Sequence, residues 1–419
     1  MLCGVPVAVA LILVSFVGVL YLRGGSVADA LLRLEPFDFS AHWSFTAVPM
    51  FLLMGAIMHR SGVSASLFRA ARLWLSGVPG GLAVATCFAC AGFSAVSGSS
   101  QATAAAMGRL AVPEMRKAGY QDGISTGVVA SAGTLGSMIP PSIAFIIYGI
   151  FAEISISRLF MAGILPGIMT ALVYAAMIMA RCRQDPTLAP QVELVREERK
   201  ERWRALLGLW PLGVTILVIV GGMYTGLITA TEAGASGALF SLFVAALRRN
   251  LTIWMLWEAS KDALIGTAKI FFVAIGAILF TRFLALSGIA NVLADLAVAW
   301  DVGPLTLFLL TALFLILLGM LLDPMGIMLL SLPIFLPLYQ AANVDLIWFG
   351  VIIVKFVEIG LLTPPVGMNV FVVKSVVGNE ISIETIFKGV GWFLVCEFVT
   401  VVLLYLFPQI ALFLPSLMQ

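Results

Sequence analysis

Charged residues are scarce in this chain. Only 11% of its 419 residues are Asp, Glu, Lys or Arg, whereas a soluble domain carries about 25%. The 24 basic and 22 acidic residues leave a formal net charge of +2, which argues against a nucleic-acid-binding surface. The composition therefore excludes an ordinary soluble domain.

Cysteine is also rare, and the five residues are Cys3, Cys87, Cys90, Cys182 and Cys396. Four of them lie in or beside apolar runs, where cysteine behaves as a small hydrophobic residue. Cys87 and Cys90 have the spacing of a metal or redox motif, but no second pair and no nearby histidine completes it. A cysteine-based site is therefore disfavoured.

The chain has only two histidines, His42 and His59. "GASG" at 234–237 matches the Gly-x-Ser-Gly pattern of rhomboid-type intramembrane proteases, with Ser236 as the nucleophile. Such a serine needs a base, usually a histidine on a later helix, and both histidines precede it. We therefore expect that the chain is not an enzyme.

Apolar residues, in contrast, are abundant. They make up 61% of the chain, the mean hydropathy is +1.08, and several stretches approach or exceed the ~20 residues that span a bilayer. We predict an all-α polytopic membrane protein whose first segment is a membrane helix and not a cleaved signal. The predicted spans are 1–22, 45–60, 124–152, 158–180, 206–228, 230–247, 263–284, 346–377 and 386–412.

Two further apolar stretches, 79–112 and 304–338, are too long for one crossing and too interrupted for a straight helix. The first contains "SAVSGSSQAT" and the second contains "GMLLDPMG". We predict two re-entrant hairpins, because non-helical backbone is tolerated at membrane depth only against protein or a water-filled cavity.

Proline pairs interrupt two predicted membrane helices, 124–152 and 346–377. They occur in "GSMIPPSIAF" and "GLLTPPVGMN". Proline removes a backbone donor and clashes with the preceding helical turn. A packing kink could explain one such pair, but two pairs beside Gly-rich and Ser/Thr-rich hairpins favour discontinuous helices that hold ions and substrate.

The proline spacing indicates an internal repeat. Pro113 precedes Pro140 by 27 residues, and Pro337 precedes Pro364 by the same 27. The similar sequences "EISISRLF" and "EISIETIF" follow the two breaks. Inverted-topology repeats with discontinuous helices point to a secondary transporter. A passive channel also uses broken helices, but hairpins that enter from opposite faces are better suited to alternating access.

Basic residues in short connections predict the orientation. Residues 181–204 are the most basic connection and should be cytoplasmic, whereas 285–304 and 339–346 contain no Lys or Arg. This places the N-terminus in the cytoplasm and the C-terminus on the opposite, periplasmic side.

The predicted organisation has four parts. Residues 1–44 form a scaffold helix and a connection, and 45–180 form inverted repeat 1. Residues 181–262 form the cytoplasmic loop and scaffold helices, and 263–419 form inverted repeat 2.

Hydroxylated residues cluster in the first hairpin at Ser94, Ser97, Ser99, Ser100 and Thr103. Their oxygens are suitable ligands for a hard cation such as Na⁺. Serine also occurs where membrane helices pack closely, so any single serine here has a structural alternative.

A few charged residues fall within apolar segments. An intramembrane acid is costly and usually functional, which singles out Asp323 and Glu232. Asp323 could instead cap the second half of its hairpin. Lys355 and Glu358 are three residues apart on one helix, and we expect them to neutralise each other.

Seven motifs together resemble the large membrane subunit of the tripartite ATP-independent periplasmic (TRAP) transporters. The resemblance implies an elevator-type carrier that imports an organic acid across the bacterial inner membrane, with Na⁺ as the coupling ion and no organic cofactor. It also implies a small four-helix membrane subunit and a periplasmic substrate-binding protein as partners. The motifs are "GVPVAVAL", "FSAVSGSSQATAAAMG", "VPEMRKAGY", "GTLGSMIPPSIAFIIYG", "TEAGASGAL", "LLDPMGIMLLSLPIFLP" and "GLLTPPVGMNVFV".

The resemblance also implies a set of site residues. The first Na⁺ site would use Ser94, Ser97 and backbone oxygens of Gly136, Ile139 and Pro141. The second would use Gly319, Gly360, Thr363 and Val366. Substrate would lie between the hairpin tips, near Ser99, Ser100, Thr103 and Asn369. A stand-alone Na⁺/carboxylate carrier of the same architecture, without a binding protein, is the alternative.

Overall fold

The computed structural model describes residues 5–190, 201–289, 292 and 303–418. These residues form helices joined by short turns, and none of them lies in a β-strand. In chain order the helices are α1 Val7–Arg23, α2 Gly25–Ser40, α3 Ala47–Arg60, α4 Val63–Leu75, α5 Gly81–Ser97, α6 Ser100–Lys117, α7 Asp122–Gly133, α8 Leu135–Met138, α9 Ile143–Phe151, α10 Ile156–Gln184, α11 Arg202–Tyr224, α12 Ala230–Leu247, α13 Ile253–Ser287, α14 Pro304–Gly319, α15 Pro324–Ala341, α16 Leu346–Gly360, α17 Met368–Val377, α18 Ile383–Leu406 and α19 Gln409–Ser416.

Many of these helices are long and apolar enough to cross a membrane. Within the described ranges six qualify, or eight if each of two bent helix pairs counts as one span. One bent pair is the broken helix of the first repeat, where Asp122–Met138 and Ile143–Phe151 meet at 41°. The prediction of a polytopic helical membrane protein is confirmed.

Both halves of the chain contain a hairpin followed by a broken helix, as predicted. In the first half α5 and α6 form the hairpin, and α7, α8 and α9 form the broken helix. In the second half α14 and α15 form the hairpin, and α16 and α17 form the broken helix. The two breaks contain cis peptide bonds at Pro140–Pro141 and Pro364–Pro365.

The structure differs from the sequence prediction at several element boundaries. The predicted connection before residue 44 contains α2, whose ion pair between Asp29 and Arg33 and internal Pro36 make it too polar to be recognised as a span. The predicted final span contains two helices, because α18 ends before Pro408. Most of the connection at 285–304 lies outside the described residues.

Two sets of helices each make contacts among their own members, and α13 of the first set also contacts α15 of the second. Helices α1, α2, α3, α12 and α13 contact one another. The hairpins and broken helices form the second set, in which α6 and α7 of the first repeat contact α17 and α18 of the second. The two repeats are therefore packed against each other.

Glycine permits the closest approach between the repeats, where α7 crosses α18. A Cβ atom added to Gly389 would lie 1.9 Å from the backbone oxygen of Gly123, and one added to Gly127 would lie 2.5 Å from the carbonyl carbon of Gly389. Small residues let membrane helices approach until their backbones touch. No larger residue fits at this crossing unless the helices move apart.

We predict that Gly389→Ala lowers the stability of the protein by about 1–3 kcal/mol, because overpacking a closely packed contact costs this much. Gly391→Ala is the matched control on the same helix, since its added Cβ would meet nothing within 4 Å. Thermal unfolding of both purified variants in detergent measures the difference. Equal melting temperatures for the two variants would contradict the packing argument.

Candidate functional site

Polar N-cap residues begin the half-helices at the hairpin tips and at the first break. Ser99 Oγ accepts the Ala102 N–H at 3.4 Å at the start of α6, and Ser142 caps α9 in the same way. Asp323 Oδ2 accepts the Gly326 N–H at 3.2 Å at the start of α15. These caps satisfy helix-end donors that hydrocarbon would leave unpaired, and the capping alternative for Asp323 is confirmed.

Glu232 and Ser236 also belong to a helix start. Glu232 Oε2 accepts from the Thr229 N–H at 2.8 Å and forms a capping box at the start of α12. Ser236 lies one turn later, is exposed, and donates its hydroxyl hydrogen to the Glu232 carbonyl at 2.6 Å. These contacts give both side chains a role within their own helix.

The first hairpin tip lies directly against the first helix break. The Gly98 carbonyl accepts the Ile143 N–H at 3.2 Å, and Gly98 has a positive φ of 62° at the turn. A Cβ on Gly136 would lie only 2.5 Å from the Ser99 backbone oxygen. Glycine at these positions allows the backbone of the hairpin tip to pack directly against the backbone of the helix break.

The second hairpin meets the second break through an equivalent contact. A Cβ on Gly319 would lie 2.6 Å from the Gly360 Cα, and the reverse distance is the same. Gly136 and Gly360 each stand four residues before the first proline of their pair. The two repeats thus place a glycine at the same point of the broken helix, facing the hairpin.

The prolines remove helical donors at both breaks. In a continuous helix the N–H groups of residues 140 and 364 would bond to the carbonyls of Gly136 and Gly360, but proline has no N–H. At the first break the second proline likewise has no N–H group to donate to the Ser137 carbonyl. The Ser142 hydroxyl donates to that carbonyl instead. At the second, the Gly360 carbonyl accepts the Thr363 N–H at 3.1 Å. Such carbonyls offer oxygen lone pairs to a ligand.

The hydroxyls predicted to bind Na⁺ lie in the first hairpin and at the second break. Ser94 and Ser97 are buried; Ser94 Oγ donates to the Cys90 carbonyl at 2.7 Å, and Ser97 Oγ lies 2.7 Å from Thr103 Oγ1. Thr363 Oγ1 donates to the Ile359 carbonyl at 2.7 Å. A hydroxyl that donates its hydrogen still has lone pairs available for a cation.

Other predicted Na⁺ residues lie in the breaks themselves. Ile139 ends α8 in an extended conformation, and the Pro141 carbonyl lies 2.8 Å from the position of a Cβ on Gly98. Val366 is half-buried in the loop between α16 and α17. No group of three or more His, Cys, Asp or Glu side chains within the described ranges is arranged to hold a metal ion. The candidate sites therefore consist of hydroxyl and backbone oxygens.

The predicted substrate residues come from both repeats. Ser99, Ser100 and Thr103 lie in the first turn of α6, and Ser100 Oγ accepts from Ser137 Oγ at 3.4 Å. Asn369 lies at the start of α17, is fully buried, and donates from Nδ2 to the Ala130 carbonyl of α7 at 3.3 Å. Its Oδ1 is buried without a hydrogen-bond partner, so this amide retains an acceptor.

The predicted pairing of Lys355 with Glu358 is wrong. Lys355 Nζ lies 2.6 Å from Glu397 Oε2 of α18 and donates to Thr170 Oγ1 of α10 at 2.9 Å. Tyr174 of α10 donates to the other carboxylate oxygen of Glu397. Local spacing failed because the lysine side chain is directed to a different helix and not along its own.

Glu397 was not identified from the sequence. It is a fully buried acid within the predicted apolar span 386–412. The rule that singled out Asp323, an acid inside a membrane segment, would have found it. Glu358, in contrast, has two buried carboxylate oxygens and no hydrogen-bond partner for either.

Comparison with known proteins agrees with this architecture. A crystal structure of the YdaH transporter from Alcanivorax borkumensis is similar, with a TM-score of 0.67 over 92% of this chain and 89% of that chain. The sequence identity to it is 14%, so this likeness concerns the fold alone.

Two curated relatives are similar over most of their length. The C4-dicarboxylate TRAP transporter large permease protein DctM of Pseudomonas aeruginosa is 35% identical over 92% of this chain and 89% of its own. The sialic acid TRAP transporter large permease protein SiaM of Vibrio cholerae is 31% identical over 99% and 95%. The family model of the tripartite ATP-independent periplasmic transporter DctM component matches residues 1–410. The chain therefore belongs to this family of TRAP transporter membrane subunits.

Proposed function

We propose that this chain is the large transmembrane subunit of a Na⁺-coupled secondary transporter that imports an organic acid. The main support is an arrangement that occurs at both breaks. A glycine of the broken helix packs directly against the hairpin backbone, and the proline pair leaves a backbone carbonyl without the N–H group that would bond to it in a continuous helix. Both curated relatives described above are named for carboxylate substrates. An organic acid is therefore the proposed substrate class.

The proposed partners follow from family membership. A small four-helix membrane subunit would associate with the large subunit, and a periplasmic binding protein would deliver substrate to it. The assembly would lie in the bacterial inner membrane, with the N-terminus in the cytoplasm. Residues 181–204, the most basic connection, support this orientation.

The proposed mechanism is elevator-type alternating access. Helices α1, α2, α3, α12 and α13, which contact one another, would form most of the static scaffold with α11. The hairpins and broken helices would travel together as the transport domain. Rigid-body movement keeps the irregular backbone covered by protein, since hydrocarbon cannot satisfy its polar groups.

We predict that the purified chain alone transports no substrate. The reason is that transporters of this family rely on the binding protein to capture the substrate and deliver it to the membrane subunits. Uptake into liposomes with and without the small subunit and the binding protein tests this. Robust uptake by the chain alone would favour the stand-alone Na⁺/carboxylate carrier.

We predict that Thr363→Val weakens the apparent Na⁺ affinity of uptake by roughly 5- to 150-fold. Loss of one buried polar partner costs about 1–3 kcal/mol, which corresponds to this range. Thr215→Val on α11 is the matched control, because Thr215 makes the same bond to a carbonyl one turn earlier at 2.7 Å. Uptake that proceeds equally well when choline replaces Na⁺ would refute Na⁺ coupling.

We predict that two engineered cysteine pairs have opposite effects on transport. A Cβ on Gly108 lies 3.7 Å from the Val376 Cβ, a separation that suits a disulfide, and this pair joins two parts of the proposed transport domain. A Cβ on Gly92 lies 3.5 Å from Leu212 Cδ2, and this pair joins the first hairpin to the proposed scaffold.

With the native cysteines replaced, the Gly108→Cys/Val376→Cys link should leave uptake intact. The Gly92→Cys/Leu212→Cys link, closed by a short cleavable thiol crosslinker, should stop uptake until it is cleaved. Full-rate uptake with the second link closed would exclude the elevator mechanism in favour of rocking around a fixed site.

A further inference from the structure

A cavity lies where the start of α7, the end of α10 and the start of α18 meet. Its volume is about 340 Å³, which is within the range of small-ligand pockets. Gly123 and Gly389, the glycines of the crossing between the repeats, are part of its wall. A ligand in this cavity would therefore touch both repeats. None of the predicted ion or substrate residues lines it.

Two cations line this cavity without an ion pair. They are Arg181, near the end of α10, and Lys388, in the second turn of α18. Neither forms a salt bridge within the described part of the chain. Among the described residues of the wall the only carboxylate is Asp122, and its Oδ1 lies 3.0 Å from Arg116 Nε. The cavity therefore keeps an excess of positive charge.

The guanidinium group of Arg181 is held by an aromatic ring. Its central carbon, Cζ, lies 4.5 Å from the centroid of the Trp392 ring, a separation typical of a cation–π contact. Stacking uses the face of the planar guanidinium group and leaves the N–H donors at its edge available. Such donors match the oxygens of a phosphate group and can bond to two of them at once.

Helix α18 leads from the cavity along an exposed apolar stripe. Lys388, Trp392, Val395 and Val399 follow one another at helical spacing and so lie on one face, and all four are exposed. This order matches the layers of a membrane surface, where a basic residue lies at the headgroups, tryptophan at the interface and aliphatic residues in the hydrocarbon. The cavity thus lies at headgroup level, directly above a lipid-facing surface.

We propose that this cavity binds the headgroup of an anionic phospholipid. Arg181 and Lys388 contact the phosphate, and an acyl chain lies along Val395 and Val399. In the proposed orientation this end of the helices faces the cytoplasm, and basic pockets between membrane helices on that side bind anionic headgroups. A free phosphate could use the two cations but would leave the apolar stripe without a role, so charge and stripe together favour a lipid.

The position of the site gives the bound lipid a structural effect. A headgroup that touches α10 of the first repeat and α18 of the second adds a contact beside their glycine crossing. A ligand that binds the folded protein and not the unfolded chain raises the melting temperature. Lipid binding can therefore be measured by thermal unfolding, independently of Na⁺ and substrate.

The test uses the full-length chain, purified in a non-ionic detergent and freed of native lipid. Phosphatidylglycerol and phosphatidylcholine with the same acyl chains are titrated in turn, and glycerol phosphate serves as the free headgroup. Native mass spectrometry counts the bound lipids and gives their affinity, and thermal unfolding measures the stabilisation.

The main variant is Arg181→Gln/Lys388→Gln. Its matched control is Arg183→Gln/Lys261→Gln, which removes the same charge from two exposed positions outside the cavity. Both variants should melt at the wild-type temperature without lipid, because all four positions lie at the protein surface or at the edge of the cavity.

We expect wild type and the control to bind one phosphatidylglycerol in preference to phosphatidylcholine and to be stabilised by it. A basic residue near anionic lipid contributes about fivefold to affinity. The affinity of the main variant should therefore be roughly 30-fold weaker, and each single substitution should weaken it about fivefold. The single variants provide a second reading if the double variant does not fold.

Four results would overturn the proposal. They are equal binding of the two lipids, an equal loss of affinity in the main variant and the control, full stabilisation by glycerol phosphate alone, and loss of the bound lipid when the chain is purified together with the proposed small subunit. The third result would mean that the cavity takes a free phosphate compound, and the fourth that a protein surface covers this face in the assembled transporter.

Discussion

The architecture depends on one constraint, which is that backbone polar groups cannot be left unpaired in hydrocarbon. Proline pairs interrupt two membrane helices, and each interruption leaves carbonyls without their helical donors. The fold meets this constraint by packing a hairpin end against each broken helix, at Gly136 in the first repeat and at Gly360 in the second. Gly136 and Gly319 make this possible because a side chain at either position would collide with the opposing backbone.

The same constraint explains why much of the fold could be predicted from the sequence. Two Pro-Pro pairs at equal distances from an upstream proline identified both broken helices, and interrupted apolar stretches identified both hairpins. These signals are local, and membrane chemistry permits few alternatives. Helix α2 was missed because its Asp29–Arg33 pair and Pro36 make it too polar to be recognised as a span on its own.

Side-chain partners were harder to predict. The pairing of Lys355 with Glu358 followed a helical spacing rule that applies where no better partner is available. Glu397 lies far away in sequence and next to Lys355 in space, so only the tertiary packing of α16 against α18 decides the pairing. The candidate ion and substrate residues were assigned through motifs, and the structure adds which of them lie against each other.

The glycine crossing between α7 and α18 has a consequence for motion. Backbone meets backbone there, so no side chain is available to change rotamer and absorb a sliding movement. Translation of one helix along the other would drive the Gly123 carbonyl into the Gly389 backbone. The crossing at Gly389 therefore opposes sliding between α7 and α18 and keeps the two repeats in register when they move as one body.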